Sequence, residues 1–267
     1  LQAPSTLAAS ALSLGYGDRA VVQDLTLPIP TGKVTIIIGP NACGKSTFLR
    51  GLARLLPPSS GTVLLDGKSI QETPSREVAL RLGILPQGPI APDGITVTDL
   101  VSRGRHVHQG WFRRWSSTDD DAVEQALTAT GTLELAARSV DELSGGQRQR
   151  VWIAMALAQR TGVLLLDEPT TYLDVSHQVE VLDVLTDLNE AEGTTIVIVL
   201  HELNLACRYA DHLVVMKDGA VVTAGAPTEV LTEEVVTDVF GIRCRVVPDP
   251  VSETPMIVPI GRHRTAS

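Results

Sequence analysis

The chain has 267 residues, 43% of them hydrophobic and 20% charged, an ordinary globular balance with length enough to bury a core. Acidic residues outnumber basic ones 31 to 22, for a net charge of −9, and aromatics make up only 3%; a general nucleic-acid binder, with its basic footprint and stacking rings, is disfavoured. The longest apolar runs, such as 163–166 and 196–200, fall far short of the ~20 residues of a membrane-spanning helix. Cys43, Cys207 and Cys244 form no CxxC, so neither a disulfide framework nor a zinc ribbon is expected. No Lys or Arg precedes Arg19, so the apolar stretch 7–14 lacks the basic flank of a signal peptide. A reduced, cytosolic setting is the expectation.

Strands are predicted at 7–14 and 21–27, separated by Gly15-Tyr16-Gly17-Asp18. The β-branched run 34–38 reads as a buried strand leading into Gly39-Pro40-Asn41-Ala42-Cys43-Gly44 and a helix over 45–56, stopped by Pro57-Pro58. Asp66-Gly67 and Asp218-Gly219 are tight-turn dipeptides, each between two short strands. Strands at 83–86, 163–167 and 196–200 alternate with helices at 119–130, 144–160 and 176–192. Apolar strands interleaved with helices predict an α/β fold with a mainly parallel, covered sheet, and the hairpins add an antiparallel β subdomain. Residues 88–140 begin irregularly and continue as an acidic helix, so an α-helical insert is expected over about 88–160. From Gly241 the tail reads as an extended appendage.

Gly39-Pro40-Asn41-Ala42-Cys43-Gly44-Lys45-Ser46 has P-loop spacing between a strand and a helix. Its glycines let backbone N–H groups curl around phosphate oxygens, and the helix N-terminus adds positive potential. Lys45 is then the partner of the β- and γ-phosphates, and the Ser46 hydroxyl a Mg²⁺ ligand. The apolar strand 163–166 ends in Asp167-Glu168. That places Asp167 at a sheet edge as a second metal anchor and Glu168 next to it as a general base. Alone, such a pair is better explained by an acidic helix cap or a turn after a strand; the P-loop upstream reverses that order. Ser144-Gly145-Gly146-Gln147 opens another helix with exposed backbone donors.

With Leu143 before it, this last motif resembles the signature of the ATP-binding cassette (ABC) family, and the other family marks follow in order. The resemblance covers about residues 7–240 and implies a P-loop NTPase cassette, with 241–267 as a C-terminal extension. Gln87 matches the glutamine loop, a catalytic and metal-binding position. Asp174, after Tyr172-Leu173, matches the D-loop, and His201 the switch histidine. Tyr16 matches the aromatic that stacks on adenine, the lesser alternative being a ring packed on its own hairpin. Thr47 completes the nucleotide-binding set of 39–47, with Ser144–Gln147 contributed by a second cassette. The implied cofactors are ATP and Mg²⁺.

Residues 48–143 show no sustained heptads, and only one cassette is present, which argues against chromosome-, repair- and ribosome-type members. A detached cassette resembles an importer subunit. Arg103-Gly104-Arg105, the run His201-Glu202-Leu203-Asn204-Leu205-Ala206, and Arg245-Val246-Val247-Pro248-Asp249-Pro250 point to the iron-chelate, haem and cobalamin branch, with ferric siderophores fitting best. The resemblance implies a peripheral subunit on the cytoplasmic side of the membrane. Its partners would be a second cassette, integral permease subunits and, indirectly, a substrate-binding protein. Ala42 and Glu202 depart from that branch, where Gly and Asp are usual. Arg103, Arg105, Arg113 and Arg114 read as a solvated or partner-facing basic cluster, and His106 and His108 as surface side chains rather than metal ligands. Cys43 reads as filling space inside the P-loop.

Overall fold

The structure is a computed structural model that describes residues 5–109, 115–171 and 173–262. In chain order it begins with β1 (Leu7–Tyr16), β2 (Arg19–Ile29), β3 (Val34–Ile38), α1 (Lys45–Leu52), β4 (Ser60–Leu65) and β5 (Lys68–Ser69). Then come α2 (Ser75–Arg81), β6 (Leu82–Leu85), α3 (Val97–Ser102), α4 (Ser117–Ala129), α5 (Gly145–Ala158), β7 (Val163–Asp167) and α6 (Val175–Glu192). The chain continues through β8 (Thr195–Val199), α7 (Leu203–Tyr209), β9 (His212–Lys217) and β10 (Ala220–Gly225). It closes with α8 (Pro227–Val230), α9 (Glu233–Phe240), β11 (Cys244–Pro248) and β12 (Pro255–Pro259). These elements divide into two units, one formed by Glu72–Ile196 with Ser5, the other by Thr6–Gln71 with 197–262.

In the second of these units β1 pairs antiparallel with β2 and β4, giving the order β2-β1-β4-β5. One face alternates inward through Leu7, Ala9, Leu12 and Leu14, all buried, as a half-covered antiparallel sheet requires. β3 pairs parallel with β9, Ile36 lying opposite Leu213, and β9 returns as β10 through Asp218-Gly219. Every residue of β3 is buried, which is why its sequence is uninterrupted Val-Thr-Ile-Ile-Ile rather than alternating. α1 is shorter than the expected 45–56. It ends at Leu52, and Arg54 takes a left-handed φ of 60°. The Arg50 carbonyl then accepts from both Leu55 and Leu56 N–H at 2.9 and 3.2 Å, so a left-handed terminus, not the downstream prolines, stops the helix.

In the unit of Glu72–Ile196, β6 runs parallel to β7 with Leu82 opposite Val163. Strand β7 is buried throughout. Beside it α3, α4 and α5 pack on one another, the helical insert foreseen from sequence. The basic cluster foreseen there does not survive intact. Arg105 is 4% exposed, and its Nε donates to Asp119 Oδ1 at 3.0 Å while NH1 donates to the Ala158 carbonyl at 2.8 Å. Asp119 is fully buried and also accepts from the Ser116 N–H and hydroxyl, so Arg105 is an internal strut rather than a surface cation. His108 Nε2 donates to the Gln159 carbonyl at 2.7 Å, and His106 is exposed. Arg113 and Arg114 lie outside the described residues. The tail, expected to be extended, forms a hairpin in which β11 and β12 pair antiparallel with Val246 opposite Ile257.

Candidate functional site

The P-loop residues belong to the unit of Thr6–Gln71 with 197–262. β3 delivers the chain into 39–44, and α1 begins at Lys45 with Gly44 as its left-handed N-cap, φ 107°. Gly39 is dictated by space: a Cβ there would stand 2.3 Å from the Met216 carbonyl oxygen. Ala42 sits at φ 62°, the left-handed region, where a Cβ is strained and glycine is easier. The Gly219 N–H donates to the Cys43 carbonyl at 2.9 Å, so the β9–β10 turn buttresses the loop. Cys43 is buried, and burial pushes its thiol pKa up despite the nearby Lys45 charge, making it an inert filler as read from sequence.

Lys45 is 5% exposed, and its ammonium donates to the Gly39 and Pro40 carbonyls at 2.8 and 2.9 Å. The charge is therefore held against the loop 39–44. Ser46 is half-buried and Thr47 buried on the same first turn. Tyr16, at the end of β1, is 48% exposed, and its hydroxyl accepts from Arg50 at 3.3 Å. Its ring is not part of the hairpin core. His201 is exposed just beyond the end of β8.

The other candidate residues belong to the unit of Glu72–Ile196. β7 ends at Asp167, a carboxylate 2% exposed. Glu168 follows at φ 53°, a left-handed backbone that turns the chain sharply off the strand. Its Oε2 accepts from Gln87 Nε2 at 2.8 Å and from the Thr171 hydroxyl at 3.2 Å. Two of the sequence-predicted residues, far apart in the chain, thus meet directly. Thr171 was not anticipated, and nothing in its local sequence marks it.

Ser144 caps α5 by a reciprocal box: the Gln147 N–H donates to Ser144 Oγ at 3.2 Å, and the Ser144 N–H to Gln147 Oε1 at 3.1 Å. At Gly145 an added Cβ would meet nothing within 4 Å among the described residues, and at Gly146 only Leu173 Cδ2 at 3.3 Å. Internal packing does not demand glycine at Gly145. Gln149, one turn on, donates to the Pro169 carbonyl at 2.8 Å and ties the signature helix to the residue after Glu168. Asp174 caps α6, its Oδ1 accepting from the His177 N–H, the Ser176 hydroxyl and His177 Nδ1. Those bonds hold its carboxyl at about 2. Tyr172, which precedes it in the D-loop, lies outside the described residues.

Residues 22–171 match the model of the ABC transporter family. The chain is 55% identical over 260 residues to the probable siderophore transport system ATP-binding protein YusV of Bacillus subtilis, covering 97% of this chain and 94% of that one. It is 54% identical over 251 residues to the ferric enterobactin transport ATP-binding protein FepC of Escherichia coli, covering 94% and 93%. The bacterial ABC transporter cassette MJ0796 superposes in a dimeric structure with a TM-score of 0.75 at 27% identity over 82% of this chain and 98% of that one. A second dimeric MJ0796 structure, in a post-hydrolysis state bound to ADP and Pi, gives 0.73 at 26% identity over the same shares. The chain belongs to the ABC transporter family, and its fold is that of the ABC ATPase cassette.

Proposed function

We propose that this chain is the ATP-hydrolysing subunit of an importer of ferric siderophores. The observation that carries the transport reading is identity above one half, over nearly the whole length, to two siderophore-transport ATP-binding proteins. No helix among the described residues is long and apolar enough to cross a membrane, so the path for the chelate would be built by partner permease subunits. The cassette would sit against them on the cytoplasmic side, with a substrate-binding protein supplying the cargo.

Two cassettes would associate head to tail around two ATP molecules. Residues 39–47 of one chain would cradle the phosphates, Lys45 exchanging its carbonyl partners for β- and γ-phosphate oxygens, and Tyr16 would stack on adenine. Ser144–Gln147 and Asp174 of the other chain would close the site; the open space beside Gly145 suits approach by a partner's nucleotide. The donors Ser46, Asp167 and Gln87 are all oxygen-bearing, the set a hard Mg²⁺ ion takes, and the buried Asp167 carboxylate suits a cation counter-charge. Mg²⁺ bound there would neutralise phosphate charge. Glu168, steadied by Gln87 and Thr171, would accept the proton of the attacking water. His201 would contact the γ-phosphate and sense its loss. Hydrolysis would then reopen the dimer.

Deletion of the gene, followed by growth on single ferric siderophores, haem or cobalamin, tests the cargo. Growth lost on one or more ferric siderophores and rescued by this chain is the expected result. Loss confined to haem or cobalamin would contradict it.

A further inference from the structure

The C-terminal hairpin plays no part in the chemistry above, yet it grips the helix that follows His201. α7 begins two residues after that histidine. From its first turn, Asn204 pairs with the backbone of β12: Nδ2 donates to the Ile257 carbonyl at 3.3 Å, and the Ile257 N–H donates to Oδ1 at 2.7 Å. The side-chain amide thereby extends the hairpin as a fragment of a third strand. One turn further, Arg208 donates to Asp249 Oδ2 at 2.7 Å. Asp249 is 6% exposed, and its Oδ1 accepts the N–H groups of Val251 and Ser252 at 2.8 and 3.2 Å, closing the loop between β11 and β12. One carboxylate therefore both folds the hairpin and holds α7. Backbone bonds from Val251 and the Arg208 contact keep its carboxyl below the usual range, so it stays charged near neutral pH.

α7 has little of its own to hold it. It is seven residues long with no side-chain N-cap, too short to persist on intrinsic propensity. Its placement must come from what it packs on, which is β3 on one side and β12 on the other.

We infer that the hairpin is a brace for His201: Asn204, Arg208 and Asp249 are positioning residues that fix α7, and through it the approach of His201 to the γ-phosphate. The inference rests on the γ-phosphate role proposed above for His201. Binding of ATP, carried by 39–47 and Tyr16, should be indifferent to the brace, whereas turnover should not.

The test measures kcat and KM for ATP, and nucleotide Kd, on the full chain reconstituted with its permease subunits. Asn204→Ala and Arg208→Ala are expected to lower kcat about tenfold, short of the ~10²-fold that a misplacement of about 1 Å can cost, with KM and Kd unchanged. Arg208→Lys, which keeps a charged donor for Asp249, should restore kcat. Asn204→Ala combined with His201→Ala should be no slower than His201→Ala alone. If Arg208→Ala fails to fold, Asn204→Ala decides. Parent kcat in Asn204→Ala beside an impaired His201→Ala would overturn the brace and leave the role of His201 standing. A parallel change in KM and Kd would also overturn it, as general loosening. Parent turnover in His201→Ala would remove the γ-phosphate role and the brace together.

Discussion

Gln87 Nε2 donates to Glu168 Oε2 at 2.8 Å, so the glutamine loop and the proposed general base are bonded directly within one unit. Such a donor orients the carboxylate. Replacing Gln87 by Glu sets two carboxylates at hydrogen-bond distance, where one must take up a proton. The acid limb of the ATPase pH profile should then move upward, with kcat falling more than ATP affinity. Gln87→Ala should lower kcat without that displacement. A full pH–rate profile of the three proteins distinguishes them, and superimposable profiles would exclude functional contact between Gln87 and Glu168.

Ala42 holds φ 62°. A Cβ in the left-handed region costs roughly 1–2 kcal/mol, and part of what glycine regains there is returned through its freer unfolded chain. Ala42→Gly should therefore raise unfolding stability by up to about 1 kcal/mol, and β-branched Ala42→Val should lower it by more than that. Chemical denaturation of both variants checks the order.

Tyr16 is half exposed at the turn end of the β1–β2 hairpin. Tyr16→Ala should weaken ATP binding by roughly 1–3 kcal/mol, the scale of base stacking on an aromatic ring, while Tyr16→Phe and Tyr16→Trp should retain it. Equal affinity of the Ala and Phe variants, read by calorimetry, would remove Tyr16 from the nucleotide site.

Arg105→Ala leaves the Asp119 carboxylate buried with only Ser116 as partner. Breaking one side of a buried pair costs about 3–5 kcal/mol. In the parent, burial pushes the Asp119 carboxyl up, but the bonds from Arg105 and Ser116 outweigh it and the net shift is downward. A depressed native pKa stabilises above the unfolded value of about 4, and that contribution is lost as pH falls through the native value. In Arg105→Ala burial is opposed only by Ser116, so the deficit relative to the parent should be greatest near neutral pH and shrink toward pH 4. A deficit independent of pH would mean that the loss is packing alone.

The P-loop and signature segments were readable because each is local in the chain. Val34 to Ser46 is a strand, a loop and a helix start in one run, and the spacing of the glycines and Lys45 is the one that a phosphate-cradling loop requires. Ser144–Gln147 was readable for the same reason, its cap and box lying within four consecutive residues. What failed was long-range pairing. Arg105 looked like surface charge because its partner Asp119 sits on another helix and its second acceptor is the backbone of Ala158. The tail read only as an extended appendage because Asn204 and Arg208, which anchor it, are polar residues on a helix too short to show a period. Thr171 escaped because a hydroxyl near a carboxylate leaves no pattern in the chain.

Glu168→Gln bears most directly on the hydrolytic mechanism. The substitution keeps size and hydrogen bonding but removes the proton acceptor, so hydrolysis should fall by about 10²–10⁴-fold while ATP still binds and closes the dimer. Analytical sedimentation with ATP and Mg²⁺ should show a stable dimer that dissociates when ADP replaces ATP, and Asp167→Asn, deprived of its metal anchor, should form no such dimer. A Glu168→Gln chain that stays monomeric at saturating ATP, or hydrolyses ATP at the parent rate, would contradict the assignment of Glu168 as the base and of the sites as shared between two chains.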